Sequence, residues 1–153
     1  MKTKFFNLDN INTSECYYRK MIIQGNSLFI PVINIGLMED HSINNNTTQL
    51  FIDRAYLLFK DIKSIRFNSA SRELIGYSPE SNRILFYISG YDLEAKVSNE
   101  IEIECLYGKI IIFENSKMSD KMWIPIQTPN FSINMNPEDV QSFTDNNLID
   151  ITE

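Results

Sequence analysis

The chain has 153 residues, a length that suits one domain with a sizeable core, and its 43% hydrophobic and 22% charged residues are typical of a globular protein. A net charge of −6 argues against a surface for duplex nucleic acid, and no apolar run is long enough to span a bilayer. The 23 isoleucines and 10 phenylalanines, against three alanines, favour strands over helices.

The start of the chain has two lysines and two phenylalanines within six residues and then turns polar. Because no apolar core of a signal peptide follows, we expect a protein that is not exported by this route and stays in the cytoplasm. Cys16 and Cys105 are too few and too far apart in sequence for a zinc or redox motif. In a cytoplasm both should be free thiols.

The first predicted strands form a hairpin. Residues 17–23 and 27–33 are separated by Gly25 and Asn26, a two-residue turn signal. Pro31 cannot donate a ladder hydrogen bond, so the second strand should lie at a sheet edge or carry a bulge there. The polar stretch 36–49 is predicted to be a long loop.

The apolar residues within 50–59 fit both the two-residue period of a strand and the 3.6-residue period of a helix. Alternation places Phe51, Ala55, Leu57 and Phe59 on one face, whereas Phe51, Ala55 and Leu58 also have helical spacing. We predict a strand, because the aromatic and β-branched content is high and no capping residue precedes the segment.

Alternation is clearest in residues 100–105, where Ile101, Ile103 and Cys105 should face the core. Residues 110–113 are too continuously apolar to face water on either side of a sheet. Besides these two segments, the strands predicted after residue 60 are 62–67, 74–77, 83–89, 123–126 and 131–135.

One helix is predicted near the end of the chain. Asn136 is a good N-cap, Pro137 suits the first helical position, and Glu138 and Asp139 complement the helix dipole. No linker or repeat divides the sequence, so residues 1–153 should form a single mainly β domain. We expect an antiparallel β-sandwich or open barrel of about nine short strands with one short C-terminal helix.

No group of residues has the spacing of a catalytic, metal or phosphate site. His41 is the only histidine, and Glu39 and Asp40 beside it cannot converge with it on one ion without a ligand from elsewhere. We predict a solvated loop there. The five glycines are scattered, and no serine lies in a nucleophile turn. The sequence therefore predicts no metal, no cofactor and, more often than not, no enzyme.

Acidic residues are concentrated in the second half of the chain. Residues 1–91 carry 10 Lys/Arg and 8 Asp/Glu, whereas residues 92–153 carry 4 and 12. Glu100, Glu102 and Glu104, which we call the acidic stripe, should share one face of a strand, and Asp92 and Glu94 could extend it. The stripe is either the solvent face of a sheet or a surface for a basic protein.

Trp123 and Asp53 are two further candidates. Tryptophan is enriched in binding hot spots, although a single tryptophan is more often part of a core. Asp53 has apolar neighbours, so its carboxylate should need a partner, such as Arg66 or a residue of a strand beside Arg54. Tyr17, Tyr18, Tyr77, Tyr87, Tyr91 and Phe86 could stack on bases, but the basic groove of a single-strand binder is missing.

Three functions remain open. The first is a non-catalytic protein-binding domain with an acidic surface, in character like a bacterial immunity protein that neutralises a toxin, although no motif of such a family is found. The second is a small-molecule or carbohydrate-binding β domain with aromatic side chains in a cleft. The third is a hydrolase whose carboxylates converge only in the fold.

Overall fold

The computed structural model describes residues 3–8, 10–41, 43–44, 47–67, 77–78, 83–113 and 116–124. These residues contain strands and no helix, so the predicted mainly β fold is confirmed. The fourteen strands are β1 Thr3–Asn7, β2 Ile11–Asn12, β3 Cys16–Tyr18, β4 Ile22–Gln24, β5 Ser27–Ile33, β6 Ile35–Leu37, β7 Leu50–Ile52, β8 Ala55–Lys60, β9 Ser64–Phe67, β10 Tyr77–Ser78, β11 Arg83–Asp92, β12 Val97–Cys105, β13 Tyr107–Phe113 and β14 Met118–Ser119. The predicted helix near Pro137 and the predicted strand 131–135 lie outside the described residues.

The strands form two sheets. Ten strands make the larger sheet, in the order β1-β13-β8-β5-β3-β11-β12-β9, with β4 beside β5 and β10 beside β11. Four strands make the smaller sheet, in the order β14-β7-β6-β2. Among the described pairs, only β3 with β11 is parallel. The described residues therefore match the expected antiparallel architecture but form more strands than the sequence predicted.

A single long hairpin joins the two sheets. It runs from Ser27 opposite Lys60 to Leu37 opposite Leu50, and the same register holds throughout. β5 and β8 form its part in the larger sheet, and β6 and β7 form its part in the smaller one. The strand predicted for residues 50–59 is confirmed, but it is divided in two, and the predicted loop 36–49 begins only after β6.

The hairpin bends where its ladder is interrupted. Asn34 adopts a left-handed conformation with φ 70°, one that asparagine tolerates better than most side chains do. Its N–H donates to the carbonyl of Ile52 at 2.9 Å, so the two arms stay connected at the bend. Opposite Asn34, Asp53 and Arg54 lie between β7 and β8. This bend allows one hairpin to serve both sheets.

The sequence predicted a sheet edge or a bulge at Pro31, and the structure places Pro31 away from the sheet edge. β5 is a central strand with β8 on one side and β3 and β4 on the other. Pro31 pairs with Tyr56 of β8, and on the other side its carbonyl accepts the Arg19 N–H at 3.0 Å, in the gap between β3 and β4. The interruption of the neighbouring strand accommodates a residue that has no N–H to donate.

The main core lies on the inner face of the larger sheet and is completed by β6 and β7 of the smaller one. The rings of Phe59 on β8 and Phe86 on β11 have centroids 5.3 Å apart, although other strands separate β8 from β11 in the sheet. The sheet therefore curls around this core. Ile101 and Ile103 are fully buried in it, as the alternation in β12 predicted.

A second apolar cluster lies on the opposite face of β5, β8 and β13. It contains Phe29, Tyr56, Leu58, Ile111 and Phe113, all of them buried. On β13, Ile110 and Ile112 belong to the main core while Ile111 and Phe113 belong to this cluster. β13 is therefore buried on both faces, as its continuous apolar sequence predicted.

The two cysteines are free and buried, as predicted. Cys16 pairs with Gly90 of β11, and Cys105 pairs with Ile84 of the same strand. Six residues of strand separate these positions by about 20 Å, far beyond the reach of a disulfide. A Cβ at Gly90 would lie 2.7 Å from the Cys16 sulfur, so this position requires glycine.

Candidate functional site

The acidic stripe lies on β12, on the face opposite the core. Ile101, Ile103 and Cys105 point inward and are buried, and the three glutamates alternate with them. β12 lies between β11 and β9. Glu102 and Glu104 pair with residues of both neighbouring strands, and Glu100 pairs with Ser89 of β11. The predicted facing is confirmed, but the surroundings of the carboxylates differ from the open solvent face that the sequence predicted.

Glu102 and Glu104 are recessed beneath basic side chains. The Arg66 Nη1 lies 3.6 Å from Glu102 Oε1, and the Lys63 Nζ lies 3.8 Å from Glu104 Oε2. The glutamate side chains are 12% and 18% exposed, whereas Arg66 is 61% exposed and Lys63 is 58% exposed. At this end of the stripe, solvent therefore meets mainly the cations.

Glu100 lies beside an aromatic surface instead. It accepts a hydrogen bond from the hydroxyl of Tyr87 on β11. Tyr91 lies four residues further along β11 and therefore on the same face as Tyr87. Its ring meets that of Tyr17 on β3 edge to face, with the ring centroids 5.9 Å apart. Three half-buried tyrosines and a carboxylate thus share the outer face of β3, β11 and β12.

Asp92 is the last residue of β11, and Glu94 lies in the turn that joins β11 to β12. Asp92 Oδ1 accepts the N–H groups of Glu94 and Ala95, at 2.9 and 3.0 Å. Asp92 therefore shapes the turn, as aspartates commonly do by bonding to N–H groups two and three residues on. Glu94 is exposed and lies 3.6 Å from the Arg19 Nε.

Trp123 is not brought together with the acidic stripe. Its backbone N–H donates to Asn34 Oδ1 at 2.7 Å, and its indole Nε1–H donates to the carbonyl of Phe51 at 2.9 Å. Both acceptors belong to the bent hairpin. The half-buried Trp123 therefore fastens the segment after β14 to the bend. The strand predicted for residues 123–126 is wrong at residues 123 and 124, which are not in a strand, and residues 125–126 lie outside the described residues.

Asp53 has a structural partner, although not the arginine that we expected. Its Oδ1 accepts the backbone N–H of Lys117 at 2.8 Å, and its own N–H donates to the Lys117 carbonyl at 2.9 Å. Next to it, the Ser116 hydroxyl donates to the carbonyl of Arg54 at 2.9 Å. Asp53 thus holds residues 116–117 against the bend, while Arg66 is paired with Glu102.

His41 lies in a turn and is buried, so the prediction of a solvated histidine is wrong. Its Nδ1 accepts the N–H of Ile43 at 3.3 Å, and its carbonyl accepts the N–H of Asn44 at 2.9 Å. Asn44 in turn donates to the carbonyls of Leu37, Met38 and Thr48, which closes the loop at the hairpin tip. His41 is therefore held within the loop by hydrogen bonds to the loop backbone.

In the part of the chain that the structure describes, no cluster of three or more His, Cys, Asp or Glu could hold a metal ion. Within the same residues, no helix is long and apolar enough to cross a membrane.

The basic partners of the acidic stripe could not be identified from the sequence. Arg66 and Glu102 are 36 residues apart, and only the register of β9 against β12 places them opposite each other. The tyrosines carried a stronger signal, because Tyr87 and Ser89 lie in the predicted strand 83–89 and Tyr91 continues their alternation beyond its predicted end. Such alternation is typical of side chains that share one face of a strand.

Comparisons of the chain with protein-family models, with curated proteins and with solved structures find no match.

Proposed function

We propose that this protein is a non-catalytic domain that binds a basic protein through the outer face of β3, β11 and β12. Tyr17, Tyr87, Tyr91 and Glu100 lie on this face and Glu94 lies in the adjoining turn, and we call these five residues together the tyrosine–acid face. The observation that carries the proposal is the gathering of three tyrosines and one carboxylate on one sheet face, with a second carboxylate in the turn beside it.

Tyrosine is suited to such a surface for a physical reason. A tyrosine ring contributes a large contact area, loses little conformational entropy when it is fixed, and carries a hydroxyl that can bond to a partner. Tyr17 and Tyr91 already hold each other edge to face, so part of the ordering cost is met before binding. Rigid aromatic residues of this kind are enriched among the hot spots of protein interfaces.

The charge of the chain favours a basic partner. Residues 92–153 carry 12 acidic and 4 basic residues, and Glu94 and Glu100 of the tyrosine–acid face belong to this half. An acidic field speeds the approach of a positively charged protein, most strongly at low salt. Neutralising a basic toxin, as bacterial immunity proteins do, is the form of this function that we favour, because it needs a complementary surface and no catalytic residue.

Glu102 and Glu104 have a different role in this proposal. Their pairing with Arg66 and Lys63 satisfies their charge within the sheet and joins β9 to β12. They therefore lie on the same sheet face beside Tyr87 and Glu100 but are not its main contacts.

The proposal is tested by removing the paired rings. A tagged full-length chain is used to isolate a partner from the native host, and the dissociation constant is then measured with the purified partner. The double variant Tyr17→Ala/Tyr91→Ala should weaken binding by roughly 30-fold or more, the loss typical of hot-spot residues. The matched control is Met122→Ala/Ile124→Ala, which removes two exposed side chains from the segment after β14 and should leave the affinity unchanged. Equal affinity of parent and tyrosine variant would overturn the proposal.

A further inference from the structure

β9 forms one end of the larger sheet. One of its edges pairs with β12, from Ser64 opposite Glu104 to Phe67 opposite Ile101. No residue that the structure describes pairs with its other edge. A strand with one unpaired edge presents N–H and C=O groups that another extended chain can bond to.

The inner side of this edge is apolar. Directly opposed residues of antiparallel strands share a face, so Ile65 and Phe67 lie on the core side with Ile103 and Ile101. Both of these β12 isoleucines are fully buried, whereas Phe67 is 55% exposed. The apolar layer of the sheet therefore continues past β12 to a large ring that the described fold leaves partly uncovered.

The outer side of the same edge is positively charged. Arg66 and Lys63 are each more than half exposed, while the carboxylates that they accompany, on Glu102 and Glu104, are recessed. Charged side chains commonly protect edge strands from unwanted pairing. Here that protection covers only the outer face, because the inner face ends in Phe67.

We propose that this edge of β9, which no described residue pairs with, is a docking site for an extended segment of a partner protein, which adds to the sheet as a further strand. The segment alternates apolar residues, which cover Phe67 on the inner face, with acidic residues, which face Lys63 and Arg66 on the outer face. Main-chain hydrogen bonds supply affinity in this mode of binding, and the alternating side chains supply specificity. The proposal does not depend on the tyrosine–acid face, which lies on other strands.

The test uses two synthetic peptides and the isotopically labelled full-length chain. One peptide alternates valine with glutamate, and the other alternates valine with lysine. The valine–glutamate peptide should shift the amide resonances of Ser64 to Phe67 and slow their hydrogen exchange, and it should bind at least about ten-fold more tightly than the valine–lysine peptide, which corresponds to about 1.4 kcal/mol. Equal binding of the two peptides, or shifts confined to other strands, would overturn the proposal.

Two variants separate the inner and outer contributions. Lys63→Gln/Arg66→Gln should abolish the preference between the peptides while leaving β9 in the sheet, as judged by the unshifted resonances of β12. Phe67→Lys should weaken the binding of the valine–glutamate peptide by about ten-fold or more, because the substitution places a charge on the apolar side of the edge. If the parent chain instead forms dimers in sedimentation equilibrium and β9 amides are already protected without peptide, the edge is occupied by a second copy and the proposed partner is wrong.

Discussion

Arg66 on β9 and Glu102 on β12 face each other with Nη1 3.6 Å from Oε1, and the arginine side chain is 61% exposed while the glutamate is only 12% exposed. The pair therefore presents its cation to solvent and holds its carboxylate within the sheet surface. Glu104 has the same relationship to Lys63. A row of glutamates that looks like an acidic surface in sequence is thus largely neutralised at one end by the neighbouring strand.

This relationship predicts a measurable coupling between Arg66 and Glu102. A double-mutant cycle of Arg66→Ala, Glu102→Ala and the double variant, measured by urea unfolding, should give a coupling free energy of about 0.2–1 kcal/mol, the usual range for partly exposed pairs. The coupling should fall as salt is added, because salt screens charges at a surface. A coupling indistinguishable from zero at low salt would show that the pair does not form in solution.

Truncating a core residue of β12 should change the free energy of unfolding by more than the coupling between Arg66 and Glu102 does. Ile103 is fully buried, so Ile103→Ala should lower the free energy of unfolding by roughly 2–5 kcal/mol through lost burial and the cavity left behind. Ile23→Ala is the matched control, because Ile23 is 66% exposed, the most of any large apolar residue that the structure describes, and its truncation should change stability by less than about 0.5 kcal/mol. Equal effects of the two substitutions in chemical denaturation would contradict the register of β12.

These two strands show what the sequence could and could not predict. Alternation assigned Ile101, Ile103 and the glutamates to their faces because period two is a local property of one strand. The partners of those glutamates depend on β9, and the sequence contains no local signal for the pairing of strands so far apart. The bend at Asn34 was missed for a similar reason, since asparagine at a positive φ and its bond to Trp123 appear only when residues 34 and 123 meet.

The hydrogen bonds between Asp53 and Lys117 should hold the segment before Trp123 in place. Asp53→Ala leaves the Lys117 N–H without its acceptor and should cost about 1–3 kcal/mol, whereas Asp53→Asn keeps an oxygen acceptor and should cost less. The single tryptophan reports on the same segment, so its fluorescence in Asp53→Ala should shift towards that of a more solvated indole. Asp40→Ala, at an exposed loop residue, is the control. Unchanged fluorescence and stability in Asp53→Ala would show that Asp53 does not anchor the segment.

The buried thiol of Cys16 and the buried hydroxyls of Tyr18 and Tyr56 should make the protein less stable at alkaline pH. Burial raises the pKa of Cys16 from 9.0 to about 12, and it raises the pKa values of Tyr18 and Tyr56 from 10.0 to about 12. Between the two values the unfolded chain releases these protons while the folded chain retains them, so unfolding is favoured as the pH rises. The stability contributed by these groups is fully present below pH 9 and falls progressively towards pH 12.

Denaturant unfolding at a series of pH values checks this expectation. Each group can contribute at most about 1.4 kcal/mol per pH unit within its window. Tyr18→Phe/Tyr56→Phe should make the decline between pH 10 and 12 shallower than in the parent. An identical decline in parent and variant would show that these hydroxyls ionise equally in the folded and unfolded chain.

The proposed binding of a basic protein through the tyrosine–acid face is tested most directly by the salt dependence of association. Two charge-reversal variants are compared with the parent against the isolated partner: Glu94→Lys/Glu100→Lys on the face, and Glu39→Lys/Asp40→Lys in the hairpin loop, which change the net charge by the same amount. Reversal on the face should slow association at low salt by about ten-fold or more and flatten its salt dependence, whereas reversal in the loop should have a clearly smaller effect. Equal slowing by both variants would mean that only net charge matters, and unchanged association of the face variant would mean that the partner binds elsewhere; either result would contradict binding through the tyrosine–acid face.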